Sequence, residues 1–188
     1  VGIDLGSYYP KHYTMSWSKI DNLNLLIEQN ISGLSVANYL SFTVDEWNHS
    51  RERVLKNILK KDLGRTLIVR SCAFKEDGRA SPPPGFFESV LGVDGNSTKG
   101  MEAAIDRVIA SYSRDGRTIN RLDKVFVQSQ LDDCKISGVA HLSLNGYIQV
   151  NLAKSGSETD AVTSGGQVDH IVLSVGSYSA GTDISIIR

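Results

Sequence analysis

The sequence predicts an α+β fold in which helices come first along the chain and β-hairpins come later. Apolar residues recur at helical spacing in three segments before residue 113, and short β-branched runs separated by turn residues dominate after it. This grouping is typical of α+β proteins, whereas a doubly wound sheet needs strands and helices in regular alternation. The 188 residues suffice for one domain with two lobes and a sizeable core.

Each of the first two predicted helices begins with a capping residue and continues with an apolar face. Ser16 or Ser18 caps the first helix, and Asp45 caps the second. Apolar residues then return every three or four positions, which places them on one side of each helix. The helices are expected over Lys19–Gln29, from Trp47 to Lys61 and over Met101–Tyr112.

Runs of β-branched and apolar residues bounded by turn residues predict the strands. Asn145-Gly146 is a typical hairpin turn, and the last two strands are expected to pair as a closing hairpin. The polar stretch from Arg114 to Asp123 is expected to be exposed. The predicted strands cover Ser35–Val44, Leu67–Arg70, Phe86–Val93, Lys124–Leu131, Ile136–Leu144, Tyr147–Leu152, Ile171–Val175 and Ile184–Ile187.

The first residues stand apart from this pattern. VGIDLGS resembles the phosphate-binding turn of actin-like kinases, but nothing downstream supports that alternative. Residues 1–15 are therefore expected to be a leader or flexible arm. Residues 16–188 are expected to form the domain, with 16–120 as the first lobe and 121–188 as a partial second lobe.

Composition argues against several classes of partner. The formal net charge of −1 argues against nucleic acid or a membrane surface held by charge. No apolar run approaches the roughly 20 residues that span a bilayer, and the start shows no signal-peptide pattern. Cys72 and Cys134 are expected to be buried reduced thiols of a cytoplasmic protein. Neither the cysteines nor the scattered histidines have the spacing of a zinc site.

The most informative stretch runs from Leu67 to Val93. A buried strand delivers Arg70 to its end, and a Ser/Pro/Gly loop follows at Ser81–Gly85. A fixed guanidinium beside a loop with accessible backbone N–H groups is one physical solution for holding a polyphosphate. The intervening acids Glu76 and Asp77 pair with Arg70 or cap the turn, and no catalytic role is assigned to them.

VRSCAFKEDGRASPPPGFFESVLGV resembles the nucleotide-binding segment of the pyruvate phosphate dikinase and phosphoenolpyruvate synthase family. The pattern of that segment runs roughly VRSSAxxEDxxxxSxAGxxESxLxV. The matches WSKIDNLNLL upstream, and MEAAIDRVIASY, KVFVQSQL and ISGVA downstream, follow in the family's order. FTVDEWN and DAVTSG are most similar to dikinase-related kinases of capsule loci, one branch of which phosphorylates the side-chain amide of L-glutamine. The resemblance implies an ATP-grasp fold, in which two α+β lobes hold the nucleotide.

The resemblance also implies the residues that bind the ATP phosphates. Arg70 matches the arginine that binds the triphosphate, and Lys19 matches an early lysine at the start of the first helix. A guanidinium offers a planar fork of donors, and an ammonium adds a movable point charge. Gly85 and Phe86 match the loop whose backbone contacts phosphate. For Lys19 the alternative is an exposed helix lysine, and for Arg70 it is a salt bridge at a strand end.

Three further residues complete the expected site. Gln128 lies in VFVQSQL, which matches the hinge strand beside adenine, and Ser137 with Gly138 matches a strand that faces the nucleotide. Asp160 stands where related chains have a glutamate, and its carboxylate is expected to hold Mg²⁺ or orient phosphates. The alternatives are a solvent-facing strand residue for Gln128 and a solvated loop acid for Asp160.

The chain departs from the family in three places. Pro82, Pro83 and Pro84 replace small residues in the phosphate loop, and proline has no N–H to donate. AHLSLNGY lacks the usual Thr-x-x-Pro, and nothing after Gly166 matches the family's metal-binding Asp-Ile-Glu and Leu-Gln-x-Arg segments. The fold is therefore expected to be incomplete at its C-terminus and to belong to a larger enzyme or a remnant of one.

Two functions follow as hypotheses. In the first, the chain is the ATP- and Mg²⁺-binding domain of a phosphotransferase that passes a phosphoryl group through a histidine on a separate domain to a small acceptor. Under this first hypothesis the isolated chain is expected to be inactive. In the second, it is a non-catalytic nucleotide-binding or interaction module.

Overall fold

The protein is described by a computed structural model that covers residues 18–73, 86–131, 134–142, 147–154, 169–174 and 186–187. These residues form two compact units, which divide between Gln130 and Leu131. Each unit has its own antiparallel four-stranded sheet. The described chain is therefore α+β, as predicted. None of the described helices is long and apolar enough to cross a bilayer.

The first unit contains all the described α-helices, which are α1 (Lys19–Gln29), α2 (Val44–Lys61) and α3 (Thr98–Ser111). Its strands are β1 (Tyr39–Thr43), β2 (Thr66–Cys72), β3 (Ser89–Asp94) and β4 (Lys124–Ser129). The strand order is β1-β4-β2-β3, and each neighbouring pair is antiparallel. Because β4 separates them, β1 and β2 run in the same direction and are joined by the crossover helix α2.

The main core lies between this sheet and the two long helices. Val69, Val125 and Val127 project from β2 and β4 and are fully buried. Trp47 of α2 and Ile105 of α3 pack on the same side and are also fully buried. Burying a large apolar side chain contributes roughly 1.5–3 kcal/mol, so this layer supplies much of the stability of the unit.

A polar cluster joins α2 to α3 at the edge of this core. Trp47 Nε1 donates a hydrogen bond to Asp106 at 2.8 Å. Arg51 donates two bonds to the same carboxylate, each 3.0 Å long, while its guanidinium lies 5.0 Å from the centre of the Trp47 ring. Asp106 therefore accepts hydrogen bonds from two residues of α2, which fixes the two helices against each other.

The cap of α2 corrects one sequence prediction. Asp45 was expected to cap the helix, but the N-cap is Thr43. Its hydroxyl accepts a hydrogen bond from the backbone N–H of Glu46, and the Glu46 carboxylate accepts one from the backbone N–H of Thr43. This reciprocal pair is a capping box, which the Thr-x-x-Glu spacing encodes.

A buried ion pair corrects a second expectation. The stretch from Arg114 to Asp123 was predicted to be exposed, yet the Asp123 side chain is fully buried. Its carboxylate accepts a 2.7 Å hydrogen bond from Arg117 and a 2.9 Å bond from the backbone N–H of Asn120. Sequence composition misses this pair because burial of a charge depends on a partner that only the folded chain supplies.

The second unit begins after Gln130. Its strands are β5 (Ile136–Leu142), β6 (Tyr147–Lys154), β7 (Asp169–Ser174) and β8 (Ile186–Ile187), paired in that order. Both predicted strand pairings are confirmed, since β5 pairs with β6 and β7 pairs with β8. The expected turn at Asn145-Gly146 lies outside the described residues. Cys134 is exposed rather than buried as expected, while Cys72 of the first unit is buried, and the two cysteines are not joined by a disulfide.

Other element boundaries differ from the sequence predictions by a few residues. Helix α1 matches its predicted bounds, and its cap is Ser18. The first strand starts later than expected, β3 starts at Ser89 rather than Phe86, and α3 starts earlier, behind a Ser97 cap. The hinge strand β4 was assigned to the second lobe, and it lies in the sheet of the first unit.

Tyr112 closes the ladder between β2 and β4, and its removal gives the first testable prediction. The buried hydroxyl accepts a 3.1 Å hydrogen bond from the Cys72 N–H and donates a 2.6 Å bond to the Lys124 carbonyl, at the last paired position of the two strands. Tyr112→Phe keeps the ring but leaves both backbone groups without this partner, so we expect it to cost about 1–3 kcal/mol in the free energy of unfolding. Urea unfolding followed by tryptophan fluorescence measures this cost, and a wild-type midpoint would contradict it.

Candidate functional site

The candidate site lies on the face of the first sheet that is opposite to α2 and α3. Phe126 of β4 is fully buried there, against Ile20 of α1 and Cys72 of β2. Tyr39 of β1 meets the Phe126 ring edge-on at 6.0 Å between ring centres. Helix α1 covers this side of the sheet through its first turns, so the face is a small second core with polar residues around it.

Arg70 lies on this face, directly opposite Phe126 in the β2–β4 ladder. Its guanidinium lies 5.5 Å from the centre of the Phe126 ring, a cation–π geometry. The sequence analysis placed Arg70 at the end of its strand, but β2 continues to Cys72. The longer strand fixes the backbone on both sides of Arg70, and the aromatic ring beneath it supports the side chain.

Lys19 is the first residue of α1, and its side chain reaches β2. Lys19 Nζ donates to the backbone carbonyl of Ser71 at 3.5 Å, a long hydrogen bond. The start of α1 is fixed by a capping box, in which the Ser18 hydroxyl accepts from the Asp21 N–H and the Asp21 carboxylate accepts from the Ser18 N–H. The cap therefore determines where the Lys19 ammonium lies along the end of β2.

Gln128 is the third predicted residue on this face. It lies two residues after Phe126 in β4, opposite Tyr39 of β1 and Ile68 of β2. Its Oε1 atom is buried and has no hydrogen-bond partner among the residues that the structure describes. A buried acceptor without a donor costs roughly 1–3 kcal/mol, so such atoms are rare in native proteins and call for a physical reason.

The electrostatics of the face come mainly from its cations and from one carboxylate on α1. Hydrogen bonds from Ser18 hold the pKa of Asp21 below its usual value, and the positive charge of Lys124 acts in the same direction. Burial raises the pKa of Tyr39, and the negative charge of Asp21 adds to that rise. At neutral pH Asp21 is therefore ionised and Tyr39 is protonated.

The structure places Phe86 away from this face. Its side chain packs against the main core and meets Phe87 edge-on, with 5.0 Å between ring centres. Its carbonyl accepts a 2.6 Å hydrogen bond from Arg114. The expected phosphate contact from Phe86 is thus limited to its backbone N–H. Gly85 and Asp160 lie outside the described residues.

Ser137 and Gly138 belong to the second unit, where they sit on the edge strand β5. Gly138 has a structural reason to be glycine, since a Cβ there would come 2.7 Å from both the Asn151 carbonyl oxygen and a Leu152 methyl group of β6. Ser137 pairs with Ala153, and its side chain is half-buried. The strand pairing by itself accounts for this Gly.

Sequence reasoning missed one residue of the face, Lys124. It lies two positions before Phe126 and opposite Cys72, so its side chain leaves β4 on the same side as Arg70. The alternation Lys124-x-Phe126-x-Gln128 shows in the sequence that these three side chains share one face of the strand. Only the register of β4 shows which face of the sheet that is.

The described residues offer no ligand set for Mg²⁺. Within the part of the chain that the structure covers, no group of three or more His, Cys, Asp or Glu side chains is arranged to hold a metal ion. On the site face the carboxylate of Asp21 is already engaged by the Ser18 hydroxyl at 2.7 Å. The carboxylate that the resemblance assigns to Mg²⁺ is that of Asp160, which lies outside the described residues.

Comparisons with known proteins leave the family open. The chain matches no model of a known protein family, and no curated protein sequence matches it. The dikinase resemblance stays a prediction, and the assignment of the site depends on the geometry of the first unit.

The lowered pKa of Asp21 predicts how this site responds to acid. Because the folded-state pKa is below the usual value of 3.8, the ionised carboxylate stabilises the fold above that value, and the stabilisation is lost as pH falls through the lower folded value. We expect Asp21→Asn to flatten the dependence of unfolding free energy on pH below about pH 4. Urea unfolding at several pH values measures this dependence. Glu52→Gln, which removes an exposed carboxylate of α2, is the control, and equal curves for Asp21→Asn and wild type would contradict the prediction.

Proposed function

We propose that this chain is the nucleotide-binding domain of a dikinase-like phosphotransferase with an ATP-grasp fold. The observation that carries the proposal is the convergence of Lys19, Arg70 and Gln128 on one face of the first sheet. The three residues are distant in sequence, and the resemblance implies that Lys19 and Arg70 bind the phosphates of ATP and that Gln128 lies beside its adenine. Their shared face supports a single ligand.

The cations would bind the phosphates. Arg70 stays charged at any physiological pH, and its guanidinium is a planar fork that matches phosphate oxygens. The Phe126 ring beneath it restricts the orientation of the guanidinium. Lys19, on the capped end of α1, would supply a second positive charge that follows the phosphate oxygens during transfer.

Gln128 would bind the base. Its buried Oε1 needs a donor, and the exocyclic amino group of adenine is one. Phe126 and Ile68 flank Gln128 on the same face, so an apolar wall accompanies the acceptor. This arrangement is typical of small-molecule sites, in which mostly apolar linings carry a few polar groups that fix orientation.

The proposed reaction transfers a phosphoryl group in two steps. A P–O bond of ATP breaks as a P–N bond forms to a histidine on another domain of a larger protein, and that histidine then phosphorylates a small acceptor. The resemblance points to L-glutamine as the acceptor and to capsule biosynthesis in the cytoplasm. The residues of this chain would contribute positioning and charge neutralisation, which dominate catalysis of phosphoryl transfer.

Removing either cation tests the phosphate assignment. Charge-assisted hydrogen bonds contribute about 1.5–3 kcal/mol, so Arg70→Ala and Lys19→Ala should each weaken Mg·ATP binding roughly 10- to 100-fold. Titration calorimetry measures the affinities. Arg53→Ala and Lys56→Ala remove exposed cations of α2 and are the matched controls. Binding that is insensitive to Arg70 and Lys19 would overturn the site. Binding that depends on them, in a longer protein that forms no phosphohistidine, would favour the non-catalytic module.

Gln128→Leu tests the base assignment. Leucine removes the buried acceptor and fills similar volume, so we expect the unfolding free energy to rise by about 1 kcal/mol while ATP affinity falls. Tripolyphosphate, which has no base, should bind the variant as it binds the wild type. Urea unfolding and calorimetry measure the two effects. If Gln128→Leu lost stability and kept its affinity for ATP, the side chain would have a structural role instead.

A further inference from the structure

A third cation, Lys124, belongs to the same face as Lys19 and Arg70. In the β2–β4 ladder Lys124 is opposite Cys72, and the next pair of that face is Arg70 opposite Phe126. Diagonal neighbours on one face of an antiparallel pair lie roughly 7–8 Å apart, within reach of two long side chains. Lys124 is half-buried, which is typical of a lysine whose stem packs on the protein while its ammonium stays in water.

The surroundings of Lys124 bring its charge near the start of α1. The Lys124 ammonium acts on the carboxylate of Asp21, in the first turn of α1, where Lys19 also lies. That carboxylate is already engaged by the backbone N–H and hydroxyl of Ser18, at 3.0 and 2.7 Å. Within the described part of the chain Lys124 forms no ion pair. Because Ser18 already engages the Asp21 carboxylate, an ion pair with Asp21 does not explain why a lysine occupies position 124.

We propose that Lys124 is a third phosphate-binding cation, which together with Lys19 and Arg70 forms a site for a di- or triphosphate on the face of the first sheet that contains Phe126. The proposal rests on the proposed function, since it assigns a further ligand-binding residue to the same face. The resemblance assigns no role to this position. The inference depends on the register of β4, which places Lys124 on the same face of the sheet as Arg70.

The three cations differ in a way that suits a polyphosphate. Arg70 lies over an aromatic ring and offers a rigid, planar set of donors. Lys19 and Lys124 are flexible point charges on two elements, α1 and β4, on either side of the end of β2. A chain of two or three phosphate groups presents several separated anionic oxygens, which a single cation cannot contact together. Three cations on three different elements, α1, β2 and β4, suit such an extended charge better than they suit a lone carboxylate.

The test is a set of titrations on the 188-residue chain with ATP, tripolyphosphate and adenosine. Lys124→Met should weaken the binding of ATP and of tripolyphosphate about tenfold and leave the binding of adenosine unchanged, because only the first two ligands carry phosphates. Lys124→Arg, which keeps the charge, should restore most of the affinity. Lys56→Met, on the exposed side of α2, is the matched control and should change none of the three.

The possible outcomes separate this inference from the proposed function. If Arg70→Ala weakens ATP binding and Lys124→Met does not, the proposed role of Lys124 is overturned while the nucleotide site stands. If tripolyphosphate binds in a Lys124-dependent way and ATP does not bind, the cation site stands and the nucleotide function falls. Equal losses for ATP and adenosine would mean that Lys124 is structural and would overturn the inference. A wild type that binds none of the three would overturn both.

Discussion

The position of β4 between β1 and β2 is the constraint on which the first unit depends. Each of its residues is fixed by pairing on both sides, from Lys124 to Gln128. Successive side chains leave a strand on opposite faces, so Val125 and Val127 enter the main core while Phe126 enters the small second core. A slip of one residue would exchange these sets and bury Lys124 and Gln128 among the helices. Burial of the two valines therefore fixes the register, and the register fixes the site.

The two faces of this sheet have different energetic roles. The layer of α2 and α3 buries Trp47, Met101 and Ile105 completely, and the ion pair of Asp106 with Arg51 closes its edge. Among the described residues, the opposite face buries few side chains and carries a buried acceptor without a partner. A marginally stable protein tolerates such a polar defect only where other contacts offset its cost. The helical layer supplies those contacts, so the opposite face can keep residues that are unfavourable for folding alone.

Local patterns in the sequence predicted most elements, and contacts between distant residues explain the rest. Helix α1 and strand β4 were located because capping, periodicity and β-branched composition are local signals. The cap at Thr43 was missed although Thr-x-x-Glu encodes it, since Asp45 matches the same preference in isolation. Burial of Asp123 was missed because a buried carboxylate is stable only when it has partners, and these are Arg117 and a backbone N–H of a folded turn. The alternation of β4 shows that Lys124 shares a face with Phe126 and Gln128, but it does not show which face of the sheet that is, because this depends on the register with β1 and β2.

Charged residues on the open face of a sheet do not by themselves indicate a ligand site. Folding alone would place Arg70 and Lys124 there, because the other face is a dry core and a guanidinium or ammonium buried in it would be costly. Gln128 is different. A threonine or valine at this position would satisfy the strand and the half-buried surroundings, whereas the amide oxygen has no donor among the described residues and lowers stability. That cost has no explanation in the packing of the first unit, and a bound N–H donor would remove it. Among the described residues of this face, Gln128 is thus the one whose presence folding alone does not explain.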